Sequence, residues 1–183
     1  MQDDATLIRA AQSGNSQAFS ELMSRYYTTL YRFAYRWCGN RVEAEDITQQ
    51  ACIKLARSIG QFRFEAAFNS WLYRLVINCA KDWQNSQRRH RGEELLPAAE
   101  DAADGQPDGA AGIYLQQVLR QLERMGEHYK ETALLVFAEG MSHAEAASVL
   151  QVKESTVSWR LHEIRKQLQL LQRTQPGSWE VEP

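Results

Sequence analysis

The stretch from Gly140 to Leu171, GMSHAEAASVLQVKESTVSWRLHEIRKQLQLL, holds two helical patterns of unequal length separated by about three residues, the spacing a helix-turn-helix requires. The first opens on Ser142 with Glu145 three residues later. That is a capping box: the hydroxyl accepts from a first-turn N–H and the carboxylate reaches back to the cap. Gly140, just before it, is placed to end the preceding helix. In the second pattern Val157, Leu161, Ile164, Leu168 and Leu171 recur at intervals of four, three, four and three residues, one apolar stripe along a helix. Its other face carries Ser155, Thr156, Ser158, Trp159, Arg160, His162, Arg165 and Lys166, hydroxyl, cationic and aromatic groups suited to phosphates and base edges. An ordinary solvated amphipathic helix would show a similar stripe. The capped short helix, tight turn and basic long helix, in that order, favour an element that reads duplex DNA.

Bulk properties bound the rest. A chain of 183 residues with 44% hydrophobic content can build one domain or two small ones. No run approaches the ~18 to 20 consecutive apolar residues of a membrane span, and the start Met1, Gln2, Asp3, Asp4 lacks the pattern of a signal peptide. A cytoplasmic protein without direct membrane insertion is the expectation. Cys38, Cys52 and Cys79 lie far apart in helical patterns with no CxxC, which favours packed thiols in a reducing compartment over a metal or redox site. A net charge of -2 argues against gripping nucleic acid by bulk charge. The distribution is more telling. Basic residues gather at Arg88, Arg89, His90 and Arg91 and again from Arg160 to Arg173, whereas Glu93, Glu94, Glu100, Asp101, Asp104 and Asp108 share a stretch without Lys or Arg.

That acidic stretch also contains Pro97, Pro107, Gly105 and Gly109 and little apolar periodicity, so it cannot bury enough surface to repay ordering. It reads as a linker over 92–112. The expected fold is therefore all-α: a helical domain over 1–91, a flexible acidic linker, a helix-turn-helix domain over 113–173, and a tail over 174–183. The linker is either a solvated spacer or a strand that follows a basic groove in a partner.

Punctuation divides the first domain into helices. Asp3 or Asp4 caps a helix ending near Gly14, and Asn15 or Ser16 starts one running through Phe19, Leu22, Tyr26, Leu30, Phe33 and Trp37 to Gly39. Asn40 with Glu43 restarts the chain. The next helix carries Ile47, Ala51, Leu55 and Ile59 on one side, with an end at Gly60. Glu43, Glu45, Asp46, Gln49 and Gln50 fall mainly on the other, either a solubilising surface or a docking face for a basic partner. A loop then leads to a helix capped by Asn69 or Ser70. Leu72, Leu75, Val76 and Cys79 face its core side, leaving Trp71, Arg74, Asn78, Lys81 and Trp83 on other faces. Exposed aromatic, basic and amide groups suit single-stranded nucleic acid; packing is the rival explanation for the aromatics.

Taken in order, these pieces resemble the extracytoplasmic-function sigma factors of the sigma-70 family, across about residues 4–172. Glu43 to Gln50, EAEDITQQ, resembles the acidic motif for the clamp helices of core RNA polymerase. Phe68 to Leu75, FNSWLYRL, resembles the start of the promoter-melting helix, and the terminal motif resembles the minus-thirty-five reader. The resemblance implies core polymerase contact by Glu43, Glu45, Asp46, Gln49, Gln50 and Leu55. It implies minus-ten DNA contact by Phe64, Phe68, Asn69, Trp71, Arg74, Asn78, Lys81, Arg88 and Arg89, and duplex contact by Ser155 to Lys166. The implied partners are core RNA polymerase, through its beta-prime clamp helices and beta flap, promoter DNA and an anti-sigma factor. No cofactor, metal or catalytic residue is expected. Gln50, Cys52 and Gln151 depart from the family pattern, which commonly has Glu, an aromatic and Gly there.

The implied mechanism stores no chemical step. Capture of an extruded minus-ten base repays a cost of a few kcal/mol, so binding single strand over duplex drives melting without ATP. A stand-alone regulator with a sensory or dimerising N-terminal half is the alternative, yet it has no need of an acidic motif followed by an aromatic and basic helix. An enzyme would need a phosphate loop, an HExxH or a nucleophile with a partnered base, and the scattered His90, His128, His143 and His162 supply none.

Overall fold

The computed structural model describes residues 2–90 and 109–174, and all regular structure among them is helical. The chain divides into two compact units, Met1–Gln116 and Gln117–Pro183. Residues 92–108 of the expected linker and 175–183 of the expected tail lie outside the described residues. Residues 109–112, also assigned to the linker, instead form the first turn of a helix.

In the first unit, α1 (Asp4–Gln12) is capped by Asp3, whose carboxylate accepts from the Thr6 N–H at 2.8 Å. Asn15 caps α2 (Ser16–Cys38), accepting from Gln17 and Ala18 at 3.0 Å each. Gly39 closes α2 at φ 74°, a left-handed conformation open to glycine at no steric cost. Asn40 then accepts from the Glu43 N–H at 3.1 Å to start α3 (Arg41–Ser58). A 3-10 turn over Ile59–Gln61 carries the chain past Gly60, which therefore does not terminate the helix. The last helix of the unit, α4 (Phe68–His90), starts one to two residues earlier than Asn69 or Ser70. Its first carbonyl partner is Ala67, which accepts from the Trp71 N–H at 3.3 Å. Phe68 and Ser70 are both buried, so packing of the first turn pulls the helix start forward.

The core of this unit is built from Leu7 and Ile8 of α1, Leu22, Leu30 and Phe33 of α2, Ile47, Ala51 and Leu55 of α3, and Leu72, Val76 and Cys79 of α4. Each fully buried Leu or Ile contributes about 1.5–3 kcal/mol relative to exposure. Leu75, expected on the core side, is only half-buried. Polar contacts fasten α1 to α2: Arg25 bridges to Asp4 at 2.7 Å and donates to the Gln2 carbonyl at 2.8 Å. The Tyr26 hydroxyl donates to the same Asp4. Burial, then the Asp4 carboxylate, pushes the Tyr26 phenol above its usual range. Cys79 is buried, Cys38 and Cys52 are half-buried, and all three are free thiols. Burial raises the Cys52 and Cys79 thiols.

The second unit contains the end of α5 (Gly109–Met125), α6 (Tyr129–Ala133), a π turn over Leu134–Ala138, α7 (His143–Leu150) and α8 (Glu154–Thr174). Leu119, Leu122, Leu134, Leu135, Val149, Val157, Leu161 and Ile164 form its core. Lys130 is buried there against Glu123 at 2.5 Å. The capping box of α7 is complete: the Ser142 N–H donates to the Glu145 carboxylate at 2.8 Å and the Glu145 N–H to the Ser142 hydroxyl at 3.2 Å. Those bonds hold the Glu145 carboxyl below its usual range. Gly140 adopts φ 70° and Gln151 φ 55°, ψ 41°. The turn thus keeps its left-handed geometry with a Gln in place, at a cost on the order of 1 kcal/mol.

Candidate nucleic-acid interface

Three surfaces carry the residues singled out from the sequence. On α3, Glu45, Asp46, Gln49 and Gln50 are exposed and Glu43 is half-buried. Leu55, expected to share this surface, is 0% exposed. It lies four residues past Ala51 and eight past Ile47, on the buried stripe of the helix, so it supports the fold and cannot meet a partner directly. The surface gains instead Val42 and Ile53, both well exposed. Val42, Glu45, Asp46, Gln49 and Ile53 follow helical spacing, so the strip mixes carboxylates with apolar contacts. Sequence pattern missed the two aliphatics because branched apolar residues ordinarily read as core.

The second surface lies where the end of α3 and the 3-10 turn meet α4. An open cleft of about 400 Å³ is lined by Lys54, Arg57, Ser58, Gln61, Trp71, Arg74, Leu75 and Asn78. Lys54 is fixed at its edge by Asp82 at 2.7 Å, a hydrogen bond that raises the ammonium above its usual range. Trp71 forms one wall, and its ring lies 5.6 Å from Phe62 and 5.8 Å from Phe68. Trp71 therefore packs against this aromatic cluster and keeps part of its surface open to the cleft. Phe68 is only 8% exposed and packs against Phe62 at 5.2 Å and Tyr26 at 5.3 Å. It is a supporting residue, not a contact, because its ring is enclosed by other aromatics.

Asn69 and Asn78 are exposed, and Arg74 and Lys81 half-buried. Phe64 stands in the loop before α4 at φ 59° with 39% of its surface open. A bulky side chain in that conformation costs about 1–3 kcal/mol and persists where neighbouring contacts hold it. Farther along α4, Arg88 and Arg89 line a separate open concavity of about 520 Å³ with Asp82 and Asn85. All four belong to one helix, so it is a groove in a helix face without a second wall. Nothing in the sequence pattern marks Lys54, Arg57, Ser58 and Gln61 as part of this surface. Lys54, Arg57 and Ser58 come from the end of α3 and Gln61 from the 3-10 turn, and only tertiary packing brings them beside Trp71 and Asn78.

The third surface is one face of α8. Ser155, Ser158, His162, Arg165 and Lys166 are exposed, Thr156 and Arg160 are half-buried, and Trp159 is 56% exposed. The Ser158 hydroxyl pairs with His143 of α7 at 2.9 Å, Trp159 lies 6.1 Å from Tyr129, and the Arg165 guanidinium sits 5.9 Å over Phe137. Arg160 has one guanidinium nitrogen enclosed without a hydrogen-bond partner among the described residues. His143, Tyr129 and Phe137 thus orient the face from neighbouring elements, which no periodicity in α8 reveals.

The Sigma-70 region 2 family matches residues 22–90, and the Sigma-70, region 4 family matches residues 115–168. The ECF RNA polymerase sigma factor SigM of Mycobacterium tuberculosis is 31% identical over 168 residues, covering 90% of this chain and 82% of the relative. The chain belongs to the ECF sigma factors of the sigma-70 family. Two solved structures share the fold. One is CnrH in complex with the cytosolic domain of CnrY, with TM-score 0.67, 24% identity and coverage of 93% of this chain and 97% of that one. The other is the sigma factor RpoE in complex with the anti-sigma factor NepR from Bartonella quintana, with TM-score 0.61, 21% identity and coverage of 85% and 96%. Sigma factors direct promoter-specific initiation of transcription. In this sigma factor the acidic strip and the cleft fall in the region 2 match and the α8 face in the region 4 match, whereas α1 precedes both. Among the described residues, no helix is long and apolar enough to cross a membrane.

Proposed function

We propose that this sigma factor docks on the clamp helices of core RNA polymerase through the α3 strip, traps an unpaired minus-ten strand in the cleft, and reads the minus-thirty-five duplex with α8. The single observation that carries the reading is the cleft. It combines cations, two amides and an aromatic wall. Unpaired bases offer a π face and free edges that a duplex hides, so Trp71 and Asn78 gain partners only after opening, while Lys54, Arg57 and Arg74 hold phosphate. Differential affinity for the open strand then drives melting without a chemical step. Arg88 and Arg89 extend the cationic track along α4.

On α8, Thr156, Ser158, Trp159 and Arg160 near the N-terminal end meet bases or backbone, and Arg165 and Lys166 hold phosphate. Two weak DNA sites on a polymerase scaffold reinforce each other through effective concentration. The N-terminal domain spans 1–91 and the C-terminal domain extends to residue 173, with the acidic linker between them shortened by the first turn of α5, which begins at Gly109. An anti-sigma factor covers these surfaces until a stress or other signal releases it in the cytoplasm, setting a signal-responsive regulon.

The test is reconstitution. Purified protein is mixed with bacterial core RNA polymerase and supplied with the DNA upstream of its own gene. The expected result is a stable complex that initiates at one site. Tight specific binding of the protein alone to duplex DNA, with no polymerase complex, would replace the proposal with a stand-alone regulator.

A further inference from the structure

The cleft and its loop are held from outside the region 2 match, by the C-terminal end of α1. The Gln12 amide donates both its protons, one to the Ile59 carbonyl at 2.9 Å and one to the Phe62 carbonyl at 2.8 Å. These two carbonyls bracket the 3-10 turn that precedes the loop. One turn earlier on α1, the Arg9 guanidinium lies 4.8 Å over the ring of Phe64, the loop residue in the left-handed conformation. Phe62 between them is buried and touches Phe64 at 4.9 Å and Trp71 at 5.6 Å. A continuous set of contacts therefore runs from Gln12 through Phe62 to the cleft wall.

We infer that Gln12 is a positioning residue for strand capture, with Arg9 as its auxiliary, and that α1 sets the shape of the minus-ten cleft without touching DNA there. The inference rests on the proposed use of the cleft. Its physical basis is the donor count. A Gln amide has two N–H protons and no other neutral side chain of this length offers both from one atom, so the turn is clamped at two points by a single group. Loss of both bonds leaves the buried Phe62 and the strained Phe64 with fewer constraints, and a preorganised site becomes one that must be ordered at the moment of binding. The predicted signature is loss of strand affinity together with loss of discrimination between bases. A residue that serves only the fold would lower stability and leave base preference in the folded fraction intact.

The test uses holoenzyme assembled from the full chain and bacterial core polymerase. It is mixed with a fork-junction DNA library carrying six randomised nucleotides of exposed non-template strand, and retained strands are quantified and sequenced. Gln12→Met keeps length and apolar bulk with no donor, and Arg9→Ala alters only an exposed side chain. The expected result for Gln12→Met is about tenfold weaker strand retention and a flattened base preference, with polymerase affinity unchanged. Arg9→Ala is expected to give a smaller change in the same direction. Retention and preference like those of the unaltered protein in both variants would overturn the inference. So would reduced retention with unchanged preference.

If Gln12→Met fails to fold, Arg9→Ala decides alone by the same readouts. Asn78→Ala in the same experiment separates the levels: no effect there means the cleft does not bind strand, whereas an effect there with none at Gln12 and Arg9 defeats this inference only.

Discussion

The cleft of the first unit and the α8 face of the second, the two proposed DNA-binding surfaces, are built in opposite ways. The α8 face is one helix: Ser155 to Lys166 fall on it by helical spacing alone, and its neighbours only trim orientations, as His143 does for Ser158. The cleft is a convergence. Lys54 and Arg57 come from the end of α3, Gln61 from a 3-10 turn, and Trp71 and Asn78 from α4. The consequence is mechanical. A face on one helix survives small shifts of its support, whereas a convergent cleft changes shape whenever any contributing element moves. Reading a rigid duplex needs a stiff rod that fits a groove, and a single helix provides it. Trapping a flexible strand needs an enclosing surface, and only several elements can make one.

This contrast is sharpest under a core substitution. Leu55→Ala empties a fully buried position beneath the end of α3 and is expected to cost about 2–5 kcal/mol of stability in the first unit. Denaturation followed in the two units should show the loss in the first only. Strand binding should weaken at temperatures where the unit is still folded, because Lys54 and Arg57 share that helix end. An equal effect on upstream duplex binding would break the comparison.

Next in size is charge reversal on the α3 strip. Glu45→Lys with Asp46→Lys should lower core polymerase affinity on the order of a hundredfold while leaving the helical circular dichroism unchanged, since both residues are exposed. Unaltered polymerase binding would remove the docking assignment of that strip.

A matched pair then separates the two DNA surfaces. Asn78→Ala should weaken capture of a minus-ten strand about tenfold and leave upstream duplex affinity alone, whereas Arg160→Ala should do the reverse by about fivefold. Both are measured by fluorescence anisotropy of holoenzyme on fork and upstream duplex probes. Cross-effects in either direction would mean that the surfaces are not separable.

The smallest effect concerns the turn before α8. Gln151→Gly relieves a non-glycine left-handed residue and should raise the melting stability of the second unit by about 1 kcal/mol or less. Destabilisation would show that the Gln side chain contributes more through its contacts than its backbone costs.

The same contrast explains what the sequence made legible. Caps and stripes are local, so Asp3, Asn15, Asn40 and the box of Ser142 with Glu145 stand where the pattern places them, and so does the whole polar face of α8. The start of α4 is not local: Phe68 enters an aromatic cluster with Phe62 and Tyr26 from distant parts of the chain, and the helix begins with it instead of at Asn69. The same burial removes Phe68 from the DNA-contacting set. The resemblance places Leu55 on the docking surface, whereas its own spacing from Ile47 and Ala51 marks it as core, where it is found. Lys54, Arg57 and Gln61 carry no signal of their own; their role depends on a contact between α3 and α4. Gln12 is the extreme case, reaching carbonyls 47 and 50 residues away, with nothing in the composition of α1 to mark it.

The most direct measurement is permanganate reactivity of thymines in promoter DNA bound by the reconstituted holoenzyme, with no nucleotide triphosphate present. Reactive thymines confined to the minus-ten strand, absent with core polymerase alone and lost with the Trp71→Ala and Asn78→Ala double substitution, are the predicted result. A holoenzyme that binds the promoter yet opens it equally well with that double substitution would contradict the account.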